Sequence, residues 1–205
     1  AVHPDRSRAR RSARRASTRP ARSATLLAGL SIAEALDELT GVRARVKWPN
    51  DVVVGDPVRK LGGVLSELRP AAGGSDALVV GFGLNVSLTT AEAPTPEATS
   101  LLLEGSRVGD RRELLRQILM VWGARHRAWL DAGGDADAAG LRAAYAVRCV
   151  TVGRDVRVAL PGGGSMEGQA VGVAADGCLR VAITEPDGGP GEVRTVAAGD
   201  VVHVR

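Results

Sequence analysis

Lysine is almost missing from this chain. Of 27 cationic side chains only Lys47 and Lys60 are lysines, and both lie within a stretch of 14 residues. Aromatic residues make up only 2% of the chain, so any core must be built from aliphatic side chains, which the 44% hydrophobic content can supply. No apolar run reaches the roughly 18 residues that a membrane-spanning helix needs, and no signal-peptide pattern opens the sequence. A soluble, cytoplasmic protein is therefore expected. Cys149 and Cys178 are the only cysteines and form no CxxC pair, which argues against a disulfide framework or a zinc site. The three histidines, His3, His126 and His203, are scattered and suggest no catalytic dyad.

The positive charge is concentrated at one end. The chain carries a net charge of +4, yet residues 1–22 hold eight Arg and one Asp, leaving 19 basic and 22 acidic groups in the other 183 residues. The body is thus slightly acidic. The Arg-, Ser- and Ala-rich arm has no apolar periodicity and is expected to be disordered, with at most a generic attraction to nucleic acid.

The two lysines mark the stretch of greatest chemical interest. An ammonium on a flexible stem follows a phosphate or carboxylate through a reaction in a way that the flat guanidinium fork does not. Between them, Pro49 stops any helix and pushes Trp48 toward extended geometry, so Asn50 and Asp51 are expected at a turn. Such side chains often bond only their own backbone, and that alternative stays open here. Val52–Val54 read as a buried strand, and a second strand runs from Leu61 to Leu68. Gly62 and Gly63 leave its backbone open to a ligand. Gly81, Gly83 and Asn85 alternate along a later strand, where the glycines leave either a flat groove or room for a packed helix.

KWPND at Lys47–Asp51, KLGGVLSE at Lys60–Glu67, GFGLNV at Gly81–Val86 and ATSL at Ala98–Leu101 together resemble the catalytic domain of bacterial biotin protein ligases. The resemblance runs from about Ser23 to the C-terminus. It implies an α+β fold, with a mixed, largely antiparallel sheet backed by helices and followed by a small SH3-like barrel. The expected division is an arm (residues 1–22), a catalytic domain (23–148) and a C-terminal domain (149–205). The family carries a GRGRxGR loop before its first long helix; SRARRSARRASTRP has the arginines without the glycines, so the catalytic domain is expected to be N-terminally incomplete.

Periodicity supplies the remaining elements. Leu26, Leu27, Leu30, Ala33 and Leu36 recur at helical spacing up to Gly41. Strands are expected at Val42–Val46 and Ala77–Val86 as well as at the two stretches above. Asp110 with Glu113 forms a capping-box pattern ahead of a helix whose apolar face holds Leu114, Leu115, Ile118, Val121, Trp122 and Trp129, with both tryptophans expected in the core. Gly133 and Gly134 end it, and a shorter helix is expected at about Asp137–Arg148. After Cys149 the pattern turns to short alternating strands separated by Gly-rich turns.

What the resemblance implies for function is ATP-dependent attachment of biotin, through biotinyl-5′-adenylate, to a lysine of a biotin carboxyl carrier protein domain of an acyl-CoA carboxylase. Lys60, Lys47 and Asp51 would be catalytic. Trp48, Asn50, Lys60, Gly62, Gly63, Gly81, Gly83 and Asn85 would contact biotin or nucleotide, and Asp51 and Asn85 would reach Mg²⁺ through water. Specific DNA binding and membrane association are not expected, and a homodimer is one arrangement open to it. The alternatives are an impaired ligase that only binds nucleotide or carrier protein, and a lipoate ligase relative.

Overall fold

A computed structural model describes residues 6–71, 76–106, 110–160, 163–184 and 190–204. The chain opens with a long helix, α1 (Arg6–Thr40), and then a four-stranded sheet of β1 (Arg45–Lys47), β2 (Asp51–Val54), β3 (Arg59–Pro70) and β4 (Asp76–Leu84). Two helices follow, α2 (Arg111–Asp131) and α3 (Leu141–Arg148). A second sheet is made of β5 (Asp155–Ala159), β6 (Ser165–Val173), β7 (Leu179–Thr184), β8 (Pro190–Val196) and β9 (Asp200–His203).

The helical spacing in the Leu26–Leu36 stretch is realised, but the helix begins at Arg6 rather than near Ser23. The helix thus runs through most of the stretch expected as an arm, where Ala and Arg are strong helix formers and need no apolar stripe to continue a helix already started. Residues 1–5 of that arm lie outside the described residues. Downstream of Pro20 the helix buries Leu27, Leu30, Ile32, Ala33 and Leu36. At its far end Gly41 adopts φ 71°, the left-handed conformation that suits a glycine stop.

The first sheet has the order β1-β2-β3-β4, with every ladder antiparallel. Among the described residues its parallel pairings are the isolated bridges Val46 to Cys149 and Lys60 to Ala98. One face carries Val46, Val52 and Val64 into the core against α1, where burying each such side chain is worth about 1.5–3 kcal/mol. Ion pairs tie the helices together: Glu34 accepts from Arg125 Nε at 2.9 Å, and Asp37 meets Arg148 at 2.6 Å. Asp110 caps α2 by accepting from the Arg112 amide at 2.8 Å. Leu114 and Ile118 of that helix are buried, whereas Leu115 is 47% exposed, so the apolar stripe is narrower than its sequence suggests. Trp122 and Trp129 are partly buried and flank His126 edge-on. The shorter helix begins at Leu141, after a turn in which Asp135 accepts from the amides of Asp137 and Ala138.

The second sheet has the order β8-β7-β6-β5-β9, and its alternating Val156, Val158, Ala170, Val181 and Val201 point inward. Among the described residues β8 and β9 form the two ends of this antiparallel order, with β5 between β6 and β9, the strand order of an SH3-like module. Trp48 links the two sheets. It is 1% exposed, its amide donates to Thr151 Oγ1 at 3.2 Å, and its indole N–H donates to the Gly177 carbonyl at 3.0 Å. Among the described residues, no helix is long and apolar enough to cross a membrane.

Candidate active site

The strand register sets the site. Lys47 pairs with Asp51, Asp51 with Gly63, and Gly63 with Gly83, and cross-strand partners share a face. These four positions therefore form one row across all four strands. The face they occupy is the one turned away from α1: Leu65, opposite Gly81, is 64% exposed, and Val79, opposite Glu67, is 53% exposed.

Lys60 joins this row through an irregularity. The β2–β3 register shifts between Val52 and Val53, placing Lys60 beside Val53. Its ammonium then lies 2.5 Å from Asp51 Oδ1, with the two side chains 52% and 22% exposed. An ion pair this open is worth about 0–1 kcal/mol in stability, so its value lies in where it holds a charge. Lys47 is half-buried on the same row but also borders the second sheet. Its charge and that of Arg154 lie close enough to His203 to add to the effect of burial, which is the larger cause, in lowering that imidazole's pKa below the ordinary 6.5.

The glycines divide into two kinds. A Cβ on Gly83 would meet nothing within 4 Å, one on Gly81 only Leu65 O at 4.0 Å, and one on Gly63 would sit 3.5 Å from Asp51 Oδ1 and 3.8 Å from Lys60 Cε. These three line an open floor beside and below the charged pair. A Cβ on Gly62 would instead lie 2.4 Å from the Gly83 carbonyl oxygen. That glycine also lets β3 and β4 approach, a packing role that its place in the motif does not announce.

Other expected ligand contacts also carry structural bonds. Asn50 Nδ2 donates to the Val64 carbonyl at 3.0 Å while the Val64 amide donates to the Asn50 carbonyl at 2.9 Å, a clamp that fixes the turn. Asn50 and the cis-linked Pro49 edge a small cavity with Arg22, Thr25, Leu26, Val64 and Ser66. Trp48 closes part of its wall, but its burial makes it a joint between sheets rather than an exposed stacking platform. Asn85 follows the end of β4, and its side-chain Nδ2 donates to the Thr99 carbonyl at 2.9 Å. Behind the hairpin, burial and the adjacent Cys149 push the Tyr145 hydroxyl well above its usual pKa, with Asp51 a smaller influence, so this phenol stays neutral. No group of three or more His, Cys, Asp or Glu converges among the described residues, so a divalent cation here would rely on phosphate oxygens with little more than one protein carboxylate.

Two features escape sequence reasoning. Arg22, at the end of the expected arm, donates through Nε to the Asp176 carbonyl at 3.1 Å and pairs with its carboxylate at 3.4 Å, tying α1 to the second sheet. Thr99, of the ATSL motif, bonds the backbone of Lys60. Its inclusion in that motif is the one available signal.

Residues 10–85 match the Biotin/lipoate A/B protein ligase family, and residues 151–204 match the biotin protein ligase C terminal domain. The chain belongs to the biotin protein ligases. It is 36% identical over 186 residues to a biotin--[acetyl-CoA-carboxylase] ligase of Mycobacterium tuberculosis, a match covering 88% of this chain and 62% of that protein. A ligase of the same description from Paracoccus denitrificans is 31% identical, over 76% of this chain and 64% of its own length. The chain thus spans somewhat under two thirds of these curated relatives. Among solved structures, biotin protein ligase from Aquifex aeolicus in complex with biotin and ATP matches with TM-score 0.66 at 27% identity, covering 90% of this chain and 72% of that one.

Proposed function

We propose that this biotin protein ligase chain condenses biotin with ATP and passes the biotinyl group to a carrier-protein lysine. The observation that carries the reading is the row of Lys47, Asp51, Gly63 and Gly83 on a bare sheet face, with Lys60 reaching into it. Exposed Leu65 and Val79 beside open Gly81 and Gly83 suit an apolar ring and chain, and the ammonium of Lys60 suits the carboxylate at its end. The Aquifex relative's bound biotin and ATP support the same choice of substrates.

In the first step a biotin carboxylate oxygen attacks the α-phosphorus of ATP, forming biotinyl-5′-adenylate and expelling pyrophosphate. In the second, the ε-amine of the acceptor lysine attacks the acyl carbon and AMP leaves. Negative charge grows on phosphate oxygens in the first step, and fixed cations lower that barrier most. Lys60 would contact the carboxylate and α-phosphate, and Lys47 would neutralise phosphate charge from the other end of the row. Asp51 would hold Lys60 in place and then orient the incoming amine. Asn50 and Trp48 would shape the site, Gly62 would keep the strands close, and Gly63, Gly81 and Gly83 would form the floor. Mg²⁺ arriving with ATP would screen the phosphates, with Asp51 and Asn85 reaching its water shell. The acceptor would be the biotin carboxyl carrier domain of an acyl-CoA carboxylase, met in the cytoplasm. The division into a catalytic unit up to residue 148 and a C-terminal unit from residue 149 fits the chain passing from one sheet to the other at Cys149–Thr151.

The test is direct. Purified chain is incubated with biotin and MgATP, and biotinyl-5′-adenylate is followed by mass spectrometry, with lipoate as a competing acid and a carrier domain as acceptor. Adenylate and biotinylated carrier are expected. Preference for lipoate would move the chain to the lipoate ligases, and nucleotide binding without adenylate would leave it a binding protein.

A further inference from the structure

We propose that Glu104 is a positioning residue for Lys60 and Asn85, an inference that rests on the function proposed above. Lys60 is held through its backbone on both sides. Its amide donates to the Glu97 carbonyl at 2.6 Å, and its carbonyl accepts from the Thr99 amide at 2.9 Å. The Thr99 carbonyl in turn accepts from the Asn85 side chain at 2.9 Å. One buried residue, Thr99, therefore fixes the two functional positions relative to each other.

Glu104 holds that residue. Its Oε1 accepts from the Thr99 hydroxyl at 2.5 Å, and its Oε2 accepts from Arg59 Nη2 at 2.9 Å, with the carboxylate side chain only 14% exposed. Arg59 immediately precedes Lys60 on β3, so a single carboxylate grips the strand just before the lysine and the segment bridged to it. A carboxylate is an acceptor at both oxygens and suits two donors. A glutamine of the same shape must turn an NH₂ group toward one of them. Glu104 acts through Arg59 and Thr99, not on the reactants.

Glu104→Gln and Glu104→Ala are compared with the parent chain by adenylate kinetics, thermal melting and residue-resolved amide hydrogen exchange. A lysine displaced by a fraction of an ångström is expected to lower kcat by on the order of tenfold to a hundredfold, with Glu104→Ala the worse. The KM values for biotin and ATP should change much less, and exchange should quicken at Lys60 and Thr99 while α1 and β6 stay protected. In a Lys60→Ala background, Glu104→Gln should cost nothing further. Unchanged kcat, unchanged exchange at both amides, or exchange quickened equally throughout the molecule would each overturn the proposal. Failure of the parent chain to make adenylate would sink the ligase reading instead, and the exchange pattern would then decide the role of Glu104 alone.

Discussion

Glycines on the two sheets can serve opposite ends. In β6 a Cβ on Gly168 would fall 2.1 Å from the Ala182 carbonyl oxygen, so that glycine exists to let strands touch; in β4 a Cβ on Gly83 would meet nothing. The five-stranded sheet buries Val156, Val158, Val181 and Val201 and leaves Val193 and Val202 exposed, while the four-stranded sheet exposes Leu65 and Val79 on the face that also carries the Lys60–Asp51 pair. Folding alone favours covering an apolar sheet face, so the one left bare beside a charged pair is where the proposed substrates would lie.

The largest effect that would break this comparison is chemical. Lys60→Ala should reduce adenylate formation by about 10²–10³-fold, the scale of losing a group that stabilises transition-state charge, while circular dichroism and melting stay near the parent values. Normal adenylate turnover in this variant would remove the bare face from the chemistry.

Next come the glycines, which should separate by readout. Gly62→Ala and Gly168→Ala force a Cβ onto a backbone oxygen and should cost about 1–3 kcal/mol each in denaturant unfolding. Gly83→Val should leave unfolding almost unchanged but weaken biotin binding by about tenfold or more in titration calorimetry. The reverse pattern would mean that the open floor is structural.

Trp48→Phe keeps an aromatic ring but is smaller than the buried indole and leaves the Gly177 carbonyl without its donor. A loss of about 1–3 kcal/mol in unfolding free energy is expected, shared by probes in both sheets.

The smallest effect concerns the junction near Lys47. His203 has its folded pKa lowered by burial first and by Lys47 and Arg154 after it, so the fold favours the neutral ring. Its contribution to stability is complete above 6.5, the ordinary value, and is lost as pH falls through the lower folded value. Melting temperature followed across acid pH should drop less steeply in His203→Gln. An identical slope would show that this imidazole does not carry the pH dependence.

Much of the site is legible in the residues themselves. The lysine pair, the turn at Pro49, the strand at Val52–Val54 and the alternation of Gly81 and Gly83 all follow from local chemistry and periodicity. Contacts between segments far apart in the chain are not legible in this way. Nothing local distinguishes Gly62, pressed against Gly83, from Gly63, which opens below Asp51. Asn50 and Asn85 carry the same amide whether it serves a ligand or a carbonyl, and only the fold sets Val64 and Thr99 beside them. The early start of α1 is hidden for a related reason: residues 6–22 have no apolar stripe to announce a helix, although helix propensity does not depend on burial.

By itself the sequence determined the element types, the polarity of each strand and the presence of two ammonium groups around a KWPND turn, because these depend on residue size, charge and spacing along a few turns or strands. Tertiary structure decided that Lys60 reaches Asp51 across a shifted register, that Trp48 is a joint between sheets, and that Glu104 stands behind the lysine. Register and packing are properties of pairs of segments, and their geometry is settled only when the chain has closed on itself.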